Sequence, residues 1–176
     1  PAWGGCKELL GRLRDFGITS GGPMGPIMKA FEIIGTAQVA KSAEQARSMG
    51  FLGPGDRITM NRDRLLSDAK ERALELSNGY IPPEPRTYNL PGPTARLTLE
   101  MAVSDLSLSG RATPHDVVVT SELAEILSGG ETDILEEVSE DDILALERAS
   151  IVKLGRVEAT LARMEHMLEH GKPLRN

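Results

Sequence analysis

No helix can run through Ile81-Pro82-Pro83-Glu84-Pro85, because proline has no amide donor and its ring fixes φ. The stretch 81–93 therefore reads as a stiff, extended linker, and it splits the chain into residues 1–80 and 94–176. Whatever the chain builds must be assembled from shorter elements on the two sides of this break.

Those elements read as helices. Leu9, Leu10 and Leu13 stand at helical spacing within 5–14, and a glycine-rich stretch from Gly17 to Gly25 follows. Ile27, Met28, Phe31 and Ile34 repeat at three and four residues and stop at Gly35. Ser42 to Gly50 is a short helix with a serine cap and a closing glycine. Phe51 to Thr59 is a turn-rich connector. Asn61 then caps a helix of about five turns that ends near Asn78-Gly79, with Leu65, Leu66, Ala69, Ala73, Leu74 and Leu76 on its apolar side.

Beyond the prolines, a helix over 94–109 ends at Gly110. Thr113-Pro114-His115-Asp116 supplies a cap, a proline at the first position and an acid in the first turn, which starts a helix running to Ser128. Ser139-Glu140-Asp141-Asp142 opens another in the same manner, with three acids near its positive end. Ile151, Leu154, Val157, Leu161, Met164 and Leu168 continue at the same spacing, which predicts one helix from 139 to 169. At roughly 30 residues and 1.5 Å per residue it would reach about 45 Å, too long for one small core to cover.

Composition narrows the function. Lys and Arg number 20 against 26 Asp and Glu, and no basic block occurs, which disfavours a nucleic-acid partner. The single cysteine, Cys6, has no intramolecular disulfide partner, so a reducing, cytoplasmic setting is expected. No apolar run is long enough to span a bilayer. An opening at Pro1 rather than Met suggests a fragment of something longer.

Few residues look reactive. His166 and His170 share a helix face with Glu165 and Glu169 nearby, a spacing that suits a metal. No third ligand lies close, so the pair reads as a solvated or interface feature, and no metal site is expected. Cys6 follows Gly4-Gly5 at a helix start, where a thiol pKa can fall, but no histidine is near enough in sequence to serve as its base. A small buried helix residue is the better reading. The amides after Gly4-Gly5 could receive an anion or a carbonyl. The many carboxylates read as caps or solvated faces, with no pair set in an apolar pocket for acid–base work.

Three stretches together resemble the crotonase (enoyl-CoA hydratase/isomerase) superfamily. They are Pro1-Ala2-Trp3-Gly4-Gly5-Cys6-Lys7-Glu8-Leu9-Leu10, the passage from Met28 through Ala40 to Leu52, and the end from Thr160 to Asn176. Residues 82–135 exceed what a stand-alone hydratase carries there. That points to the hydratase-like C-terminal part of bacterial 3-hydroxyacyl-CoA dehydrogenase fusions.

The resemblance implies a mainly α, C-terminal part of a crotonase-like fold whose N-terminal β-sheet core is missing. Residues 1–80 would end that core and line the acyl site, and 94–176 would form a C-terminal helical region. It implies a fatty-acid β-oxidation enzyme acting on acyl-CoA thioesters by hydrating 2-enoyl-CoA, with NAD-dependent oxidation of 3-hydroxyacyl-CoA elsewhere in the parent chain.

The family's two glutamates and its oxyanion amides would lie before Pro1. This chain would therefore hold no catalytic residue and no cofactor of its own, and would be inactive alone. Trp3, Gly4 and Gly5 match the turn beside the catalytic glutamate. Met167 falls where the family places an aromatic that packs on coenzyme A, and Lys172 near its basic partner. Implied partners are acyl-CoA, the rest of the parent chain and a second copy met through the terminal helix. A non-catalytic helical assembly module is the competing expectation.

Overall fold

A computed structural model describes residues 4–176. The first helix, α1 (Gly5–Asp15), buries Cys6, Leu9, Leu10 and Leu13 on one face. Glu8 lies in its first turn, and Arg12 and Arg14 in its last, each suiting the dipole at its end. Helix α2 (Met24–Gly35) lies against it and buries Ile27, Ala30, Phe31 and Ile33. Helix α3 (Ala43–Ser48) is a short turn of chain whose Ser42 cap accepts a bond from the Gln45 amide.

After the connector, Asn61 accepts from the amide of Asp63 and starts a single 3₁₀ turn, Arg62–Arg64. Helix α4 (Leu65–Ser77) continues from it. No residue of α4 is buried, and its main packing partner is the turn ahead of it. Arg57 bonds Glu75 from the connector, and Thr59 bonds Asp68, so polar contacts steady the helix along one side.

In the proline-rich stretch no helix forms before Pro93, and its second half packs into the fold. Thr87–Tyr88 (β1) pairs antiparallel with Val138–Ser139 (β2), in the register Thr87 with Ser139 and Tyr88 with Val138. Tyr88 and Leu90 are buried. At Gly92, φ is +55° and a Cβ would fall 2.0 Å from the Thr132 carbonyl oxygen, so only glycine allows this approach.

Helix α5 (Pro93–Leu108) and helix α6 (Pro114–Ser128) form the most extensive helix pair. The Thr113–Asp116 capping box starts α6, and a second box, Ser139–Asp142, starts α7 (Glu140–Leu154). The mainly α expectation therefore holds. The core joins Leu13 of α1, Ile27 and Ile33 of α2, Leu99 of α5, Ile126 of α6 and Ile143 of α7. It draws on both sides of the prolines, so the sequence break at 81–93 is not a break in packing.

The expected continuous helix from 139 to 169 does not form. Helix α7 ends at Leu154 and α8 (Glu158–His170) starts afresh. Gly155 is a poor helix former. Past it the backbone tightens into three-residue bonds, Arg156 to Lys153 and Val157 to Leu154. Val157 is extended, at φ −93° and ψ 122°, and caps the next helix. The apolar stripe breaks with it: Leu154 is buried, while Leu161, Met164 and Leu168 are exposed. Among the described residues no helix is long and apolar enough to cross a membrane.

Candidate functional site

An apolar groove of about 580 Å³ runs between α1, the end of α2 and the chain after α3. Cys6 and Leu9 come from α1, Ile33 and Ile34 from the last turn of α2, Val39 from the loop that leaves it, and Phe51 from the far side. The i, i+3 and i, i+4 spacing on α1 and α2 presents these side chains along facing ridges.

Glu8 and Arg12 are the charged side chains of the lining. The Arg12 guanidinium donates to the Phe51 carbonyl at 2.8 Å, tying the loop to α1, and its Nε lies 3.7 Å from a Glu8 oxygen. Cys6 is a small buried helix residue, as expected, at 2% exposure. Burial first, and then the charge of Glu147, push its thiol up to about 12. It remains protonated and is no nucleophile at neutral pH. The groove offers an apolar surface with one cation and one carboxylate in its lining.

The start of α1 is held from far along the chain. Gly4 turns at φ +83°, and its amide donates to Glu147 Oε2 at 2.8 Å, while the Lys7 amide donates to Glu147 Oε1 at 2.8 Å. Glu147 itself is only 1% exposed. The helix end whose amides could have received an anion or a carbonyl is filled by the chain's own carboxylate. Two backbone amides, otherwise without a helical partner, thus donate to one carboxylate at the start of α1.

Around this contact, Lys7 Nζ reaches Glu8 and Glu140 at 2.9 and 3.1 Å, and Arg86 reaches Asp15, Glu8 and Glu140. This ionic seam fastens α1 to the first turn of α7 and to the run into β1.

A second polar cluster fixes α8. His115 Nε2 and Thr160 Oγ1 are 2.9 Å apart and both buried. Arg163 donates to Asp116 at 2.8 Å, to Thr113 at 3.2 Å and to the Asn176 side chain at 2.7 Å. Burial, and then the neighbouring Arg163, hold His115 below the ordinary histidine pKa, against an opposing pull from Asp116.

The residues singled out from sequence are only partly brought together. Trp3 lies outside the described residues. Gly5 lines the groove, with open space where a Cβ would stand. Gly4 sits behind it with its amide committed to Glu147. Met167 is exposed on α8 and Lys172 is exposed in the tail. No groove-lining residue comes from either element. His166 and His170 stack with ring centroids 4.3 Å apart, and among the described residues no three potential ligands gather as a metal site.

Nor do the described residues fit a dinucleotide. Its phosphates need a glycine-rich turn between a strand and a helix N-terminus. Here the glycine-rich stretch joins α1 to α2, and a Cβ at Gly25 would lie 2.4 Å from the Ser20 carbonyl oxygen.

Sequence reasoning missed Glu147. Its signal was available: Ile143, Glu147, Ser150 and Leu154 recur at i, i+4, i+7 and i+11 and are the buried residues of α7. A carboxylate on the core stripe of a helix must be paired, and its donors lie more than a hundred residues away in sequence.

No family model matches the chain, and no solved structure matches it. The chain is similar to a probable 3-hydroxyacyl-CoA dehydrogenase of Bacillus subtilis (strain 168), with 39% identity over 178 aligned residues. The match takes in 100% of this chain and 22% of that protein, so the chain spans about a fifth of its relative's length.

Proposed function

We propose that the chain is a helical segment of an acyl-CoA-handling enzyme of fatty-acid β-oxidation, and that the groove between α1 and α2 is a wall of its acyl site. The observation that carries the reading is the groove itself. It is apolar and runs along α1 from Gly5, and Gly5 belongs to the turn that the crotonase resemblance matches beside the catalytic glutamate, at the head of a helix lining the acyl site. Full-length similarity to part of a probable 3-hydroxyacyl-CoA dehydrogenase supports the same substrate class.

In this reading the segment supplies binding surface rather than chemistry. Leu9, Ile33, Ile34 and Phe51 remove an acyl chain from water, a gain of about 0.8 kcal/mol for each buried CH₂. Arg12, the cation of the lining, is the group an anionic headgroup would meet in this reading. The hydration of 2-enoyl-CoA, and oxidation with NAD, belong to residues elsewhere in the parent protein.

Calorimetric titration of the 176-residue chain with dodecanoyl-CoA and with free coenzyme A tests this. The acylated ligand is expected to bind and free coenzyme A to bind far more weakly, without turnover of crotonyl-CoA or of 3-hydroxybutyryl-CoA with NAD. Equal affinity for the two ligands, or no binding of either, sinks the groove assignment. Turnover by these residues alone sinks the division of labour.

A second reading, a non-catalytic assembly module, is favoured by one observation. Leu66 and Leu74 of α4 are 83% and 63% exposed, and no part of that helix is buried. Sedimentation separates the two readings: an assembly module sediments as an oligomer without ligand, and Leu66→Asp disperses it.

A further inference from the structure

Six of the described helices are followed within two residues by a left-handed glycine. They are Gly17 after α1, Gly50 after α3, Gly79 after α4, Gly110 after α5, Gly129 after α6 and Gly171 after α8. Glycine belongs there because a Cβ disfavours positive φ. Helix α7 ends at Gly155 with φ −66° and has no such residue, while α2 has a left-handed residue that is not glycine. Helix α2 closes with the Ala37 amide bonded to the Ile34 carbonyl at 3.0 Å and the Gln38 amide to the Ile33 carbonyl at 2.9 Å. This is the paired ending that favours glycine, yet Ala37 sits in it at φ +51°. Among the described residues it is the only non-glycine with positive φ.

Ala37 is also a lining residue of the groove. Gly50, another left-handed residue of that lining, shows why it remains glycine: a Cβ there would stand 3.2 Å from the Leu13 side chain. At position 37 the extra methyl is carried against the backbone's preference, in a residue that lines the groove.

We propose that Ala37 is a specificity-determining residue of the groove, its methyl group kept at a glycine-type turn because it completes the apolar wall against the ligand chain. The inference rests on the groove being an acyl site. It adds that stability and binding oppose each other at one atom. Removing the methyl relaxes the turn and opens the wall by one carbon, without touching Arg12, Leu9 or Phe51.

The test pairs Ala37→Gly with the reverse exchange at a site away from the groove, Gly110→Ala. Gly110 is left-handed at φ +70°, with nothing within 4 Å of a Cβ built on it. Thermal unfolding and dodecanoyl-CoA affinity are measured on both variants and on the unaltered protein. Ala37→Gly is expected to raise the melting temperature by about 2 °C and to weaken dodecanoyl-CoA binding about fourfold, the worth of one buried carbon. Gly110→Ala is expected to lower the melting temperature and leave affinity unchanged.

An Ala37→Gly protein that is more stable and binds as tightly as before overturns the role of Ala37 while the acyl-site reading stands. Absence of binding by the unaltered protein overturns both.

Discussion

Helix α1 carries Leu9, Leu10 and Leu13 and buries all three, whereas α4 carries Leu65, Leu66, Leu74 and Leu76 and buries none. Both have apolar residues at helical spacing and charges on the remaining faces. The difference lies in what surrounds them: α1 packs on α2, α6 and α7, and α4 on little beyond its own first turn. An amphipathic pattern fixes that a helix has a face to cover, and says nothing about which surface covers it. Helix α8 stands between the two, held by the polar cluster of His115, Thr160, Asp116 and Arg163 while Leu168 faces outward.

The comparison can be broken most directly at its buried end. Leu13→Ala removes a fully buried side chain among α1, α2 and the loop at Gly50, and is expected to cost about 3 kcal/mol, seen as a lower urea midpoint. Equal loss from Leu13→Ala and Leu66→Ala would mean that α4 is covered in solution. Glu147→Ala comes next. It strands two inward-facing amides at the start of α1 and is expected to cost about 2 kcal/mol. Glu147→Gln retains one acceptor and should lie between the two, and exchange of the Lys7 amide should speed up in both.

The α8 contact has a pH signature whose sign is fixed. A histidine held below its ordinary pKa in the fold takes up a proton more readily once the fold opens. Stability is therefore intact above about pH 6.5 and declines as the pH falls below it. Urea titrations at stepped pH should show this decline, and His115→Gln should flatten it. A decline that survives the substitution assigns the effect elsewhere. The smallest effect is expected at α4: Leu66→Ala should change the unfolding free energy from urea titration by less than about 0.5 kcal/mol.

Local signals told the sequence reading most about where helices start. Thr113 and Ser139 cap as their spacing to Asp116 and Asp142 requires, and Asn61 begins the turn that leads to α4. Their partners are within three residues, so the chemistry is visible in a short window. What escaped depends on distance along the chain. The β1–β2 pair joins residues fifty apart, and the groove is made from α1 and the end of α2. The break at Gly155 escaped for another reason: the apolar spacing carried on past it, and a single glycine inside a periodic run is a weak stop. Of the residues lining the groove, Gly5 was singled out only through the resemblance. Ala37 was not legible, because nothing in its immediate sequence reports a left-handed backbone.

Glu147 and the start of α1 stand more than 140 positions apart in a chain of 176. A ribosome releases α1 long before the carboxylate that finishes it, so until Glu147 emerges the amides of Gly4 and Lys7 lack the partner the fold gives them. Closing that contact means closing nearly the whole chain into one loop, the kind of distant pairing that slows folding. Helix α1 is made well before its start can be closed, so at this contact the order of assembly runs against the order of translation.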